Sequence, residues 1–426
     1  MTSSAIAAPS AVRSVSSTQL KYKLMCAVAI VAISGMVNAV SQTHRGSVRN
    51  DFVHYYLGAN FVLDGENPYT EPLKPHIEQL SGLYDPRIPV AAHPPLLLRF
   101  FGLFSWMEME HAFTAWVLTQ VILALLLTEL IRRVIGVSAE SLWWWMAVAF
   151  FLNSKSLQMH FFNSQVQLLV GCLVVGAYLA YRRGHTAFAC VLATTAAAFK
   201  LYPLLLMPWF ACHGWRNKRD VAMRAVACAG VGLTVLLITG IQPWLDFREL
   251  GVPTIRLYAD TNSFNYSLFG LFASLGRTYY DAPLGDVAID RLLAIVKWMG
   301  IALLASAYGL IIVRRKKLAE HVPLSLLMIL MISLSLVCWS HYMVLLALPC
   351  AVLVYHARQL PNGTQKILSY VVAAVALLPM IDSYISRDLS SVWRMAIHYY
   401  PLYAQGALAA LLVLLPASHR PASYSE

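Results

Sequence analysis

Residues 186–212 read TAFACVLATTAAAFKLYPLLLMPWFAC. As one helix this stretch would be about 40 Å long at ~1.5 Å per residue, well beyond the ~30 Å hydrocarbon core of a bilayer. Lys200 stands near its middle and Pro203 follows three residues later. A charge is costly in lipid and a proline removes a helical hydrogen bond, so two short limbs meeting at Lys200 are expected. That reading sets the parity of every span around it.

The rest of the chain also needs lipid as its solvent. Of its 426 residues, 58% are apolar and 12% are Asp, Glu, Lys or Arg, about half the charged fraction of an ordinary soluble domain. Mean hydropathy is +0.60. The net charge of +11 does not point to nucleic acid, because the basic residues fall in short clusters between apolar runs and form no single basic face. Seven cysteines lie in or beside those runs without CxxC spacing, so neither a disulfide framework nor a zinc site is indicated.

Working outward from 186–212, apolar runs lie near 24–40, 111–131, 141–152, 164–181, 221–240, 290–313, 321–339, 342–357, 367–382 and 401–416. With the two limbs, they make twelve crossings of an all-α polytopic membrane protein, both termini cytoplasmic. Residues 94–107 open on Pro94-Pro95 and contain Arg99, which suits a re-entrant or interfacial helix. Residues 1–20 are expected to be a disordered tail, 21–416 a single transmembrane domain, and 417–426 a second cytoplasmic tail. A cleavable signal peptide is the rival reading of the first run, since Val37-Asn38-Ala39 resembles a cleavage site; the long polar lead and the span parity speak against it.

Charge tests this layout. Lys21 and Lys23 precede the first span, and the inside loops hold Arg132, Arg133, Arg182, Arg183, Arg216, Lys218, Arg219, Arg224, Arg314, Arg315, Lys316, Lys317, Arg358 and Lys366. Against them stand Glu129, Glu140, Asp220 and Glu320. This is the positive-inside pattern of a protein in the inner cell membrane. The outside loops, about 41–110, 153–163, 241–289 and 383–400, are longer than connection requires, so an active surface is expected to face outward.

The first outside loop opens DFVHYYLGANFVLDGENPY, residues 51–69. Helical spacing puts Asp51, His54, Tyr55 and Gly58 on one face, with Phe52, Tyr56, Ala59 and Leu63 on the adjoining one. This describes a short helix on the membrane, ended by the turn Gly65-Glu66-Asn67-Pro68-Tyr69. Asp51 is either a reactive carboxylate or an N-cap for this helix. Lys200 is either a functional charge at a hairpin tip or a side chain snorkelling to the outer interface. His341, in Trp339-Ser340-His341-Tyr342, is either a site residue or a histidine of the aromatic belt. Asn163 and Gln165 are either site groups or interhelical hydrogen-bond glue. His160 lies on the same outer surface, and Trp143-Trp144-Trp145 reads as an interfacial anchor.

The order of these pieces resembles glycosyltransferase family 87, whose members have the GT-C fold and include polyprenyl-phosphate-mannose-dependent mannosyltransferases. The resemblance runs from Asp51, Tyr55 and Gly58 through the turn ending at Tyr69. It continues through His93-Pro94-Pro95, Asn163-Ser164-Gln165-Val166-Gln167, Lys200-Leu201-Tyr202-Pro203 and Asn265-Tyr266-Ser267-Leu268-Phe269-Gly270 to His341. Members often have Gly-Gln-x-Asn where this chain has Asn163 to Gln167, and an aromatic residue where it has His93.

The resemblance implies inverting transfer of a sugar, most often mannose, from a polyprenyl-phosphate carrier to a hydroxyl of a glycolipid or glycan. It implies Asp51 as the base and His341 on the donor phosphate as the catalytic pair. Lys200, His54, Tyr55, Tyr69, His93, His160, Asn163, Gln165 and Asn265 are the expected substrate-binding residues. No DxD accompanies Asp51, so a divalent metal is not indicated and no other cofactor is expected. The expected partners are the lipid-linked donor, the acceptor and membrane lipids. A secondary transporter or lipid flippase is the alternative function; against it, no internal repeat is evident and the polar groups gather at one surface instead of the midplane.

Overall fold

Inside a bilayer the backbone has no water to bond, so each spanning segment must satisfy its own amides as a helix. The computed structural model describes residues 17–43, 50–80, 88–214, 217–261, 265–280, 286–314, 317–319, 321–377 and 398–415. Among them no strand occurs. The order is α1 (Ser17–Gln42), α2 (Asn50–Leu63), α3 (Leu73–Gln79), α4 (Pro95–Phe101), α5 (Met109–Ile135), α6 (Leu142–Leu152), α7 (Lys155–Phe162) and α8 (Gln167–Arg182). Then come α9 (Thr186–Phe199), a 3₁₀ turn (Tyr202–Leu206), α10 (Met207–Cys212), α11 (Lys218–Thr239), α12 (Gln242–Asp246), a π-helical turn (Phe247–Gly251), α13 (Val252–Thr261), α14 (Leu268–Tyr280) and α15 (Asp286–Arg314). The chain continues with α16 (Val322–Ser333), a second 3₁₀ turn (Ser340–Leu346), α17 (Ala347–Ala357), α18 (Gly363–Leu377) and α19 (Tyr400–Leu414).

Among the described residues, five segments are long and apolar enough to cross a membrane: Thr18–Gln42, Met109–Ile135, Lys218–Thr239, Asp290–Arg314 and Ser340–Ala357. Shorter apolar helices, including α6, α8, α9, α16, α18 and α19, pack among them. The chain is an all-α membrane protein. The stretch 186–212 does break at Lys200, whose backbone is extended (φ −147°, ψ 133°) between α9 and the 3₁₀ turn.

Three expectations need correction. The N-terminal tail was expected to extend to residue 20, but α1 already begins at Ser17, because helical propensity carries the run back past the lysines. Residues 1–16, 378–397 and 416–426 lie outside the described residues, and with them most of both expected tails and of the last outer loop. The expected loop 153–163 is largely the buried helix α7, started by Ser154, whose Oγ accepts from the Leu157 amide at 3.3 Å. The expected loop 241–289 likewise contains α12, α13 and α14.

Two helices show the direction of the bundle. Trp116, early in α5, donates from Nε1 to the Ser164 carbonyl just before α8 at 2.9 Å. At the far ends of the same two helices, Arg182 donates from Nη1 to the Val134 carbonyl at 2.6 Å. Asp51 and Gln165 therefore sit at one end of α5 and α8, and the arginine clusters at the other. A second arginine, Arg224 of α11, is almost fully buried. It donates to the carbonyls of Phe210 (3.1 Å) and His213 (2.8 Å) at the close of α10, and pairs with Asp220 at 2.7 Å. Helix-end carbonyls that lipid would leave unsatisfied are thereby bonded.

Helix α2 is held by an aromatic wall. Phe52 packs edge-on against Phe113 of α5 (5.3 Å between centroids) and Phe101 of α4 (6.0 Å), and Phe101 meets Trp116 at 4.9 Å. Gly58 lets α4 approach closely: a Cβ there would lie 2.9 Å from Leu98 Cδ2. The helix expected to lie on the membrane is instead packed inside the protein on both faces, Phe52, Tyr56 and Ala59 on one and His54 and Tyr55 on the other, with Leu63 exposed near its end. Asp51 at its start comes to rest beside the α7–α8 junction.

Candidate functional site

Gln165 organises one half of the site. Its Nε2 donates to Asp51 Oδ2 at 2.5 Å, and its Oε1 accepts from the Tyr55 hydroxyl at 2.9 Å. One amide therefore bridges two residues one turn apart on α2 and holds the carboxylate in a single orientation. Asp51 lies within the first turn of α2, where the helix dipole favours a negative charge. The Tyr55 ring is fully buried between Phe101 (4.7 Å) and His93 (4.5 Å), with Lys200 Nζ 5.9 Å from its centroid. Lys200 also feels the Asp51 carboxylate electrostatically. His54, one residue before Tyr55, is buried within electrostatic reach of His93. Burial, the Lys200 ammonium and His54 push the His93 imidazole pKa well below its ordinary value, so it is neutral at physiological pH.

Asn163 organises the other half. Its Nδ2 donates to the Met159 carbonyl at 2.9 Å and lies 3.3 Å from His341 Nδ1. A carbonyl only accepts, so the bond to Met159 fixes which end of the amide is nitrogen, and that nitrogen donates to Nδ1. His341 must then carry its proton on Nε2. That Nε2–H is buried and has no protein partner among the described residues. His341 is 2% exposed inside the protein, not out in a lipid-facing aromatic belt. It also lies within electrostatic reach of Lys200 and of His160.

The two halves meet through Ser164, between Asn163 and Gln165. Its φ is +50°, the left-handed region that a residue with a Cβ seldom occupies. This turn sends Asn163 toward His341 and Gln165 toward Asp51. Glycine is the residue that takes such a φ without strain. Ser164→Gly is therefore expected to preserve the site, whereas Ser164→Val costs about 1–3 kcal/mol of stability. Thermal unfolding in detergent micelles checks this; a valine variant that melts with the wild type refutes it.

Other buried polar atoms around this centre also lack partners among the described residues: His93 Nε2, both ring nitrogens of His160 and the Tyr202 hydroxyl. Tyr202 stacks near Tyr342, with 5.4 Å between centroids. Native proteins rarely bury so many polar groups unbonded without a ligand to meet them.

Two expected binding residues are spent on protein partners. The Tyr69 hydroxyl donates to the His93 carbonyl at 2.7 Å. Asn265 donates to the Leu336 carbonyl at 3.0 Å and accepts from the Cys338 amide at 2.9 Å. Each braces the backbone of a site segment, Tyr69 at His93 and Asn265 just before His341. Gly270 belongs to the same brace, for a Cβ there would lie 2.0 Å from the Asn265 carbonyl oxygen.

Sequence reasoning singled out neither Tyr202 nor Tyr342 as a site residue, although both lie in motifs it quoted. Their positions, two residues after Lys200 and one after His341, were the available signal. Of the two readings of Gln165, site group or interhelical hydrogen-bond glue, its amide bonds to Asp51 and Tyr55 place it as a link between the α7–α8 turn and α2.

The family described as Glycosyltransferase family 87 matches residues 92–340, more than half of the chain. The match takes in His93, the Asn163–Gln167 turn, Lys200 and Asn265. It begins after Asp51 and ends at Ser340, so Asp51 and His341 are placed beside the matched region by the fold. No curated protein matches the chain.

Proposed function

This chain belongs to glycosyltransferase family 87, and from that premise we propose that it transfers a sugar, mannose in the first instance, from a polyprenyl-phosphate carrier to a hydroxyl of a lipid or glycan acceptor, with inversion. The acceptor oxygen attacks the anomeric carbon as its proton passes to Asp51. The bond from that carbon to the phosphate oxygen breaks, and polyprenyl phosphate departs with the electron pair. A phosphate already leaves readily, so no strong general acid is needed. His341 Nε2–H and the Lys200 ammonium meet the negative charge that grows on it. No divalent ion enters this reading.

One observation carries the proposal: a carboxylate and an imidazole are held by Gln165 and Asn163, two residues apart on a single turn, and both lie within electrostatic reach of the Lys200 cation. In this reading the protein lies in the cell membrane with both termini inside and the site outward. The arginine-rich loops at the opposite end of α5 and α8 support that orientation.

Purified protein supplied with radiolabelled polyprenyl-phosphate mannose and a membrane acceptor extract tests it. The expected result is a labelled product whose anomeric configuration is opposite to the donor's. Movement of the donor across a vesicle membrane with no new glycosidic bond would overturn it. Polyprenyl-phosphate arabinofuranose run in parallel decides the sugar.

Lys200 and His341 should separate kinetically. The donor phosphate is charged before the reaction begins, so the Lys200 cation contributes to ground-state binding as well as to the transition state. Lys200→Met is expected to raise KM for the donor by about 10–100-fold, the worth of one hydrogen bond to a charged group, with a smaller fall in kcat. Initial rates across a donor titration measure the split, and an unchanged KM would remove Lys200 from the phosphate.

A further inference from the structure

An apolar cavity of about 450 Å³ opens between α5, α6, α17 and α18, lined by Ile131, Trp143, Phe151, Cys350, Val354 and Tyr370 among others. It lies away from the site just described. Thr128 and Ile131, its contributions from α5, are 12 and 15 residues beyond Trp116, so they sit about 18–22 Å further along the helix at ~1.5 Å per residue. Its volume falls in the ~300–1,000 Å³ range of cavities that enclose a small ligand. Ordered water needs several polar partners, which this lining does not offer. Left empty, the cavity would forfeit the dispersion contacts of every side chain around it.

The mouth of the cavity has a charge. Arg358, one turn beyond Val354, is exposed and stacks its guanidinium over the Trp143 ring at 4.8 Å. A cation–π contact of this kind uses none of the guanidinium N–H donors, and Arg358 forms no ion pair among the described residues. Glu129, which follows the lining residue Thr128 on α5, is taken by Arg132 (2.7 Å) and Arg133 (2.6 Å). A dry slot beneath an uncompensated arginine, at the arginine-rich end of a membrane bundle, matches a molecule with an anionic head and an apolar chain.

We propose that this cavity is a binding site for one anionic phospholipid, with an acyl chain between α6 and α17 and its phosphate on Arg358. The site is separate from sugar transfer and does not depend on that reading.

Native mass spectrometry of the full-length protein, titrated with phosphatidylglycerol or phosphatidylcholine, tests this. The expected result is one saturable phosphatidylglycerol bound at least fivefold more tightly than phosphatidylcholine. Arg358→Gln should bring the two lipids to equal affinity, and Ala351→Phe, which fills the cavity, should weaken both. Brominated acyl chains should quench tryptophan fluorescence in the wild type and not in a Trp143→Phe/Trp144→Phe variant. Arg358 is exposed, so its variant threatens no packing and decides the headgroup question alone. Retained preference in Arg358→Gln, unsaturable binding, or competitive displacement of phosphatidylglycerol by polyprenyl phosphate would each overturn the proposal.

Discussion

Asp51→Asn lowers the rate of sugar transfer by about 10²–10⁴, the contribution expected of one positioned general base. The substitution changes little else. Asparagine keeps the shape of aspartate, and its carbonyl oxygen can still accept from Gln165 Nε2, so α2 keeps its anchorage. The lost attraction to the α2 dipole is worth only about 0.3–1 kcal/mol, too little to unfold a helix buried behind Phe52, Phe101 and Phe113. The fall should therefore appear in kcat, with donor KM and melting temperature near wild type. Gln165→Leu distinguishes position from chemistry: the carboxylate remains but loses its bond, as does the Tyr55 hydroxyl. Partial activity is expected from that variant. If Asp51→Asn transferred sugar at the wild-type rate, the proposed base would be wrong.

His341→Leu costs about 10²–10³ in kcat, the loss typical of removing one preorganised donor from a developing oxyanion. Asn163 donates to Nδ1, so the proton sits on Nε2, which meets no partner among the described residues. A donor fixed before the reaction needs no reorganisation as charge grows on the departing phosphate. His341→Gln keeps an N–H donor and is expected to recover part of the loss, which a purely packing role would not allow. Asn163→Leu frees the imidazole to adopt either tautomer and should cost less than His341→Leu. Single-turnover rates with saturating donor measure these effects. Equal activity of His341→Leu and wild type would remove the imidazole from the reaction.

Much of this protein was legible before any coordinates. Lipid punishes an unsatisfied amide or a stray charge so heavily that spans appear as apolar runs and breaks appear as charges and prolines. The interruption at Lys200 follows from that rule, whereas the burial of α2, expected to lie on the membrane, does not. Side-chain partnership is different. Gln165 meets residues 110 and 114 positions away, and Asn163 meets one 178 positions away. No local pattern encodes such pairs, because each depends on how whole helices pack. The left-handed turn at Ser164, the burial of α7 and the direction of the His341 proton were for the same reason decided by the tertiary structure alone. Local chemistry specified which residues could react; only packing determined which of their atoms face one another.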